Sequence, residues 1–197
     1  KVAGDQAVKK AKSLPPGNSA SLLKQAQAAE ARVMALKTKT GGTERIATIR
    51  KEMTKTMEDG CGIYRVEDSM QATCDKLAEL RERFKNISID DKSSVWNTDW
   101  LMAVELDYQL DVAQSMAHSA VNRKESRGAH QRLDGPNEAY VQRDDVNFLK
   151  HSEAYYQPGN APRIAYGDVK ITKSQPAARV YGAAGEKADQ ERKASHV

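Results

Sequence analysis

The stretch 99–125 carries apolar residues on two sides of a predicted helix, and this feature constrains the fold most. Within each set the residues recur every three or four positions, which is the spacing of one helix face. One stripe is Leu101, Val104, Tyr108, Val112 and Met116, and the second is Met102, Leu106, Leu110, Ala113, Ala117 and Ala120. A helix that is apolar on two sides is usually buried on two sides. We expect one stripe to pack on helices of this chain and the other to meet a further domain.

Three shorter stretches upstream also repeat apolar residues every three or four positions, which predicts an amphipathic helix in each. Asn18 or Ser19 can cap the first, because either side chain can accept a hydrogen bond from a free backbone N–H group. Gly60–Cys61–Gly62 ends the second. The stretches are 22–36, 46–57 and 70–84. A short helix over 1–12 is expected before the helix-breaking LPPGNSA at 14–20.

The pattern changes after Gly128. Few apolar residues occur in 129–147, which predicts an extended surface loop, whereas NFLKHSEAYY and RIAYGDVKIT indicate two strands around the turn-rich QPGNAP. ARVYG follows Pro176, and the small and charged residues beyond Gly182 predict a flexible tail. We therefore predict a mainly α fold, an antiparallel three- to four-helix bundle of the spectrin-repeat type over 18–128, with a small loop-rich β-hairpin region over 129–182 and a flexible tail over 183–197.

Composition argues against several classes of function. The net charge of +4 is small for 197 residues and acids are interspersed with bases, so the concentrated basic face of a nucleic-acid-binding protein is missing. No stretch approaches the roughly 20 apolar residues that span a bilayer. Cys61 and Cys74 match neither a zinc-ligand nor a redox spacing, which indicates buried free thiols in a reducing compartment. The first residue is Lys rather than Met, so we expect the chain to begin partway through something larger.

Several motifs occur together in one order and at one spacing. They are MEDGCGIYR (57–65), KLAELRERF (76–84), SSVWNTD (93–99), MAHSAVNRKESRGAHQRLD (116–134), RDDVNFLKH (143–151) and DVKIT…VYG (168–182). Together they resemble the C-terminal part of the flavoprotein subunit of bacterial fumarate reductase, a relative of succinate dehydrogenase. ESRGAH with RDD and LKH downstream is highly specific, and GCGIYR and RVYG favour the fumarate reductase branch. The linker GPNEAYVQ (135–142) departs from the family pattern, in which a shorter and different linker is expected.

The resemblance implies a part in a larger enzyme. In the family, the flavoprotein subunit reduces fumarate to succinate by hydride transfer from covalently bound FAD. Electrons reach the flavin from an iron–sulfur subunit, which is docked on membrane anchors that oxidise quinol. The family's FAD fingerprint, flavinylated histidine and substrate-binding His and Arg residues have no counterpart in this sequence. By this resemblance residues 1–17 are the end of a FAD-domain helix with its linker, and the chain is the helical domain and C-terminal tail without the catalytic half.

The resemblance also sets what we expect of cofactors and partners. We expect no catalytic residue, no cofactor-binding residue and no metal ligand in this chain, with FAD held elsewhere in the parent subunit. The lone Gly60-x-Gly62 follows a predicted helix rather than a strand, unlike a dinucleotide-binding loop. The expected partners are the FAD-binding half of the same subunit, the iron–sulfur subunit and, indirectly, the membrane-anchor subunits. The expected location is peripheral, on the cytoplasmic side of the bacterial inner membrane.

The charged stretch RKESRGAHQRLD at 123–134 is the candidate functional site. A catalytic interpretation makes His130 a proton donor and Arg127 a carboxylate clamp. A simpler interpretation takes the stretch as a helix C-terminus, with the preceding basic residues complementing the helix dipole and Gly128 as the terminator. We favour an ion-paired loop at a domain or subunit interface, formed by Arg127, Gly128, His130 and Arg132.

Other functions stay open at this point. The chain is also consistent with a free-standing helical interaction module that has no enzymatic role and docks through the second apolar stripe of the 99–125 helix. A residual catalytic role through His130 is a further alternative. Asp144 and Asp145 follow Arg143, and we expect these acids to cap a turn or to pair with a base rather than to act as a catalytic pair.

Overall fold

The computed structural model describes residues 2–173 and Pro176. The predicted RVYG segment and flexible tail lie outside the described residues. Within the described part the elements are α1 (Val2–Ser13), α2 (Ser19–Lys37), α3 (Ile46–Cys61), β1 (Tyr64–Arg65), α4 (Glu67–Phe84), α5 (Thr98–Asn122), β2 (Gln131–Arg132), a 3-10 helix (Pro136–Val141), α6 (Asp145–Phe148), β3 (Lys150–Tyr155) and β4 (Arg163–Asp168). None of the helices in this part of the chain is long and apolar enough to cross a membrane.

Helices α3, α4 and α5 enclose the hydrophobic core. Arg83 at the end of α4 donates to Glu44, just before α3, at 3.0 Å, so these two helices run antiparallel. Lys124 beyond the end of α5 lies 3.8 Å from Glu67 at the start of α4, so α4 and α5 also run antiparallel. The predicted helical bundle with a small β region is confirmed. The fully buried apolar side chains at its centre include Ile49, Met70, Leu77, Leu80, Leu106 and Leu110.

Helix α5 buries only one of its two apolar stripes. The stripe with Leu106 and Leu110 lies in the core, apart from Met102, which is partly exposed. Of the other stripe, only Val104 packs against the core. Its remaining members, called the exposed stripe below, are about half exposed: Leu101, Tyr108, Val112 and Met116. Docking through the second stripe, as the interaction-module alternative required, is therefore wrong, because that stripe is used inside the bundle.

Helix α2 begins as predicted but packs less than predicted. Asn18 caps it, since the side-chain oxygen accepts a hydrogen bond from a first-turn backbone N–H at 3.1 Å. Only Leu36 is buried, so a packed apolar face over the whole of 22–36 is wrong. The physical reason is that α2 meets α5 near its own C-terminal end, where the Trp100 indole N–H donates to the Val33 carbonyl oxygen at 2.9 Å. Helix α1 and the first part of α2 bury no side chain.

The region after α5 is more ordered than the predicted extended loop over 129–147. Strand β2 pairs in parallel with β1, which lies between α3 and α4, and the 3-10 helix and α6 follow. Strands β3 and β4 then form the predicted antiparallel hairpin, with Lys150 opposite Asp168. The sequence did not predict the β1–β2 pair, because two residues are too short for a periodic signal and the partner strands are far apart in the chain.

The unusual linker 135–142 folds around its first glycine. Gly135 has φ +100°, and a Cβ there would lie 2.6 Å from ring carbons of Tyr140, so any other residue would be strained and would clash. The Tyr140 ring in turn lies over the Arg132 guanidinium, with 5.0 Å between the guanidinium carbon and the ring centroid. The linker thus covers one side of the charged stretch.

Cys61 and Cys74 are free and buried, which confirms the prediction of buried thiols. Burial raises the pKa of the Cys74 thiol to about 12 and also raises the pKa of Cys61. Because the thiolate is the reactive form, we expect neither cysteine of the native chain to react with a thiol reagent at pH 8, and both to react in denaturant. Stoichiometric labelling of the native chain at the rate of the unfolded chain would contradict this expectation.

Candidate functional site

The charged stretch leaves α5 earlier than predicted. The helix ends at Asn122, and Arg123 already has an extended backbone, with ψ 98°. The interpretation of Gly128 as the helix terminator is therefore wrong. Gly128 instead has φ +61° in a tight turn, a conformation that favours glycine. In this turn the backbone N–H groups of Arg127 and His130 each donate to the other residue's carbonyl oxygen, at 2.9 and 3.1 Å.

A buried carboxylate lies at the centre of the charged loop, the name used below for residues 123–134. Glu125 has no exposed side-chain surface. Its oxygens accept hydrogen bonds from Arg123 Nη1 at 2.6 Å and Arg127 Nε at 2.7 Å. The backbone N–H of Asp144 donates to the same carboxylate at 2.8 Å. Glu125 therefore holds two arginines and the segment before α6 in one arrangement.

Arg132 is the second fully buried charge of the loop. Its guanidinium donates two hydrogen bonds to Asp134, at 2.7 and 2.8 Å, and one to Glu67 at 3.0 Å. It also donates to the carbonyl oxygens of Val121 and Arg123, at 3.3 Å each. Because all of these bonds lie within the chain and the side chain is covered, Arg132 holds the shape of the loop.

His130 is held through both ring nitrogens. Arg65 Nη1 lies 2.7 Å from Nδ1, and the Arg123 carbonyl oxygen lies 3.0 Å from Nε2. Arginine only donates and a carbonyl only accepts, so the ring must be neutral, with its proton on Nε2. Burial lowers the pKa of His130, and the positive charge of Arg65 lowers it further. The ring is therefore a structural link between β1 and the end of α5.

Asp144 and Asp145 take the two roles that the sequence predicted for them. Asp144 caps α6, accepting from two backbone N–H groups at 3.0 Å each. Asp145 binds Arg143 and accepts from Arg127 at 2.7 Å. Hydrogen bonds from Arg143 and then from Arg127 lower the pKa of Asp145. These carboxylates are engaged locally and do not face each other as an acid–base pair.

In the charged loop, all of which the structure describes, both side chains of the catalytic interpretation are bound within the chain. Both ring nitrogens of His130 are bonded, and Arg127 is held by two carboxylates of the chain. The turn residues Gly128 and Ala129 are exposed at the tip of the loop. The loop is ion-paired, and the role of Arg127, Gly128, His130 and Arg132 at a domain or subunit interface stays a prediction.

Two features of the described residues bear on metal and FAD binding. Among them, no group of three or more His, Cys, Asp or Glu side chains could hold a metal ion. The Gly60-x-Gly62 pair lies at the C-terminal end of α3, where a Cβ on Gly60 would collide with Thr73 of α4. Glycine there allows close packing of two helices, not the approach of a pyrophosphate. These residues do not fit FAD, and no step of flavin chemistry is assigned to them.

Two partners of the loop escaped the sequence analysis. Arg65 and Glu67 lie at the connection between α3 and α4, and they bind His130 and Arg132, respectively. The only indication of them in the sequence was that Arg65 is the last residue of the motif GCGIYR. A pairing of charges that lie so far apart in the chain leaves no local pattern.

Comparison with known families decides what kind of protein carries this loop. Residues 50–181 match the family described as the fumarate reductase flavoprotein C-terminus. The chain belongs to this family. The matched range includes α4, α5, the charged loop and the β3–β4 hairpin, whereas α1 and α2 precede it.

Relatives with curated names agree with this assignment. The fumarate reductase flavoprotein subunit of a Serratia strain is 56% identical over 194 residues, covering 97% of this chain and 32% of that protein. The subunit of Escherichia coli K12 is 52% identical over 189 residues, with 96% and 31% covered. The succinate dehydrogenase flavoprotein subunit of Rickettsia felis is 35% identical over 143 residues, covering 69% of this chain and 23% of that protein. The predicted fumarate reductase branch is confirmed.

A solved structure shows the same fold. A mutant of the E. coli quinol fumarate reductase matches with a TM-score of 0.81 and 53% identity, covering 91% of this chain and 30% of that chain. Sdh1 of Mycobacterium smegmatis in complex with UQ1 matches with a TM-score of 0.65 and 25% identity, covering 84% and 27%. The chain spans about a third of the length of the curated relatives it matches.

Proposed function

We propose that the chain is the C-terminal helical domain of a fumarate reductase flavoprotein subunit. In this role it supports the flavin- and substrate-binding part while fumarate is reduced to succinate with electrons from quinol. FAD and the reacting groups belong to that other part, and this chain alone binds no FAD and reduces no fumarate. The proposed division of the chain is a FAD-domain helix end and linker over 1–17, the bundle over 18–128, the loop and hairpin region over 129–182 and a tail over 183–197.

The exposed stripe of α5 is the observation that carries this proposal. Its four large apolar side chains lie along one side of a helix whose other side is in the core. A row of apolar side chains that is left in water marks a contact surface, because its burial against a partner is favourable. A rigid bundle that offers such a surface can hold a neighbouring domain in one orientation, which is how a support domain assists catalysis elsewhere.

The path of the chain indicates what covers the stripe. Arg32 of α2 donates to the Tyr108 hydroxyl at 2.7 Å, and its guanidinium carbon lies 5.0 Å from the ring centroid. Helix α2 therefore reaches α5 beside the exposed stripe. Because α1 and the first part of α2 bury no side chain, they too are open to the same neighbour. We therefore propose that the flavin domain of the parent subunit covers both surfaces.

The wider assembly follows from the same assignment. The proposed partners are the FAD-binding part of the subunit, the iron–sulfur subunit and, indirectly, the membrane anchors, with a peripheral position on the cytoplasmic face of the inner membrane. A solved relative described as a quinol–fumarate reductase with menaquinol molecules matches with 52% identity and a TM-score of 0.78. The charged loop is proposed to contact one of these partners through Gly128 and the side chains beside it.

A free-standing interaction module is the second candidate, now with the exposed stripe as its docking surface in place of the buried second stripe. It differs in the identity of the partner. Under this alternative the stripe recruits an unrelated protein, and the chain does not restore activity to the remainder of a flavoprotein subunit.

A chimera tests the proposal. The chain replaces the C-terminal third of the E. coli subunit, to which it is 52% identical, and flavin content and fumarate reduction by a reduced dye are measured. We expect an active chimera. Val112→Asp in the chimera should lower flavin content or turnover by about tenfold or more, because a carboxylate buried at an apolar contact costs more than 1.4 kcal/mol.

The matched control is Val146→Asp, the same substitution at an exposed valine that belongs to α6 and not to the stripe of α5. It should leave flavin content and turnover unchanged. Equal behaviour of the two variants would exclude the stripe as the docking surface. An inactive chimera that is folded and retains its other subunits would favour the interaction-module alternative.

A further inference from the structure

The charged loop is joined to the α3–α4 connection by a very short strand pair. The Gln131 N–H donates to the Ile63 carbonyl oxygen at 3.2 Å, and the Leu133 N–H donates to the Arg65 carbonyl oxygen at 2.9 Å. Two backbone hydrogen bonds between two-residue strands are weak by themselves, since isolated pairs of strands are marginally stable in water. Side chains must therefore contribute to holding the loop against the bundle.

His130 supplies the side-chain link. Arg65 donates to the carbonyl oxygens of Cys61 and Gly62 at 2.9 and 2.6 Å, and to His130 Nδ1 at 2.7 Å. The other ring nitrogen donates to the Arg123 carbonyl oxygen at 3.0 Å. The chain of bonds thus runs from the end of α3 through the guanidinium and the imidazole to the end of α5. It requires a neutral ring, because a protonated Nδ1 cannot accept.

The charges around the ring make protonation disruptive. The positive charges of three guanidinium groups act on the ring, namely Arg65 from β1, Arg132 from β2 and Arg123 from the end of α5. The nearby acids Glu67 and Asp134 bind Arg132, and Glu125 binds Arg123. Among residues 2–173 and Pro176, the structure has no salt bridge between a carboxylate and the His130 ring, since the nearby carboxylates pair with arginines. A protonated ring would add a fourth positive charge beside these three guanidinium groups.

We propose that His130 is an acid-sensitive latch, whose protonation releases Arg65 and opens the β1–β2 pair while the helical core stays closed. The charged loop then separates from the α3–α4 connection. This inference rests on the contacts of His130 alone and does not depend on the proposed function.

The sign of the pH dependence follows from the direction of the shift. Burial lowers the pKa of His130 in the closed state below the ordinary value of 6.5, whereas the opened ring in water has the ordinary value. The open state therefore binds more protons, and the latch is strongest above pH 6.5. It weakens as pH falls below 6.5, by up to about tenfold in the opening equilibrium per pH unit, until the closed-state pKa is passed.

The experiment follows the native 197-residue chain by NMR from pH 8 to pH 5. Imidazole nitrogen shifts give the tautomer and the pKa of His130, and amide hydrogen exchange gives the opening of Gln131 and Leu133, corrected for intrinsic exchange. We expect an Nε2–H tautomer, a pKa below 6.5, and protection of both amides that falls with His130 protonation. Protection of the Leu110 amide in α5 should not change. A ring that titrates at or above 6.5, or amides insensitive to its protonation, would overturn the latch.

Two variants separate the latch from general acid effects. His130→Asn removes the titrating group, so the protection of Gln131 and Leu133 should become independent of pH. His118→Asn, on α5, should retain the native pH dependence. If His130→Asn does not fold, the native titration and exchange data decide the question without it. If the protection of these two amides still depends on pH in a folded His130→Asn chain, the proposal is contradicted.

Discussion

Replacement of Glu125 by Ala lowers the free energy of unfolding of the chain by about 3–5 kcal/mol, the range for a broken buried ion pair. The substitution leaves the guanidinium groups of Arg123 and Arg127 without their buried partner and the Asp144 N–H without its acceptor. A charge that stays buried without compensation costs more than the pair itself contributed. Urea denaturation monitored by circular dichroism at pH 7 measures the difference.

Asp145→Ala is the matched control for this prediction. Asp145 binds Arg127 in the same network, but 41% of its side chain is exposed, so water can replace the lost bonds. We expect a change within about 1 kcal/mol, as for exposed ion pairs. Equal effects of the two substitutions would show that Glu125 is reached by solvent and is not the centre of the loop.

Leu110→Ala is the second substitution with a large expected effect, a loss of roughly 2–5 kcal/mol in the free energy of unfolding. Leu110 has 0% of its surface exposed at the centre of α5, and it lies among buried side chains of α3 and α4. The cost combines the lost transfer of apolar atoms from water with the cavity that remains. Thermal and urea unfolding of the variant measure it.

Val112→Ala tests the asymmetry of α5 on the same helix. Val112 is 58% exposed and belongs to the exposed stripe. The substitution should change the free energy of unfolding of the isolated chain by no more than about 0.5 kcal/mol, because it removes little buried surface and alanine favours the helix. A loss comparable to that of Leu110→Ala would mean that the stripe is already covered in the isolated chain, for instance by self-association, which sedimentation would detect.

The helices could be predicted because each carries its own signal. The spacing of Ile49 and Met53, or of Leu77 and Leu80, is that of a helix face whatever the rest of the chain does. The cap at Asn18 and the end of α3 at Gly62 are equally local, since they satisfy backbone groups within one turn. Local chemistry was sufficient for these elements.

The candidate site could be predicted only in part. The crowding of charges around Arg127 and His130 indicated an ion-paired loop, and the structure has one. The sequence did not identify Arg65 or Glu67 as partners, because charge complementarity between distant segments leaves no periodicity to detect. Gly128 was predicted to end the helix, but it lies in a tight turn. A glycine permits either conformation, and the backbone hydrogen bonds between Arg127 and His130 that form the turn have no signal in the sequence.

The sequence by itself therefore determined the helical bundle, the β3–β4 hairpin, the buried thiols and the family, since each depends on local spacing or on motifs in a fixed order. Only the tertiary structure decided which stripe of α5 is buried, how little of α2 is covered and what holds the charged loop. These outcomes depend on competition for partners between surfaces of similar chemistry. Leu110 and Val112 are similar apolar residues, but Leu110 is buried and Val112 is exposed, because α3 and α4 cover only one side of α5.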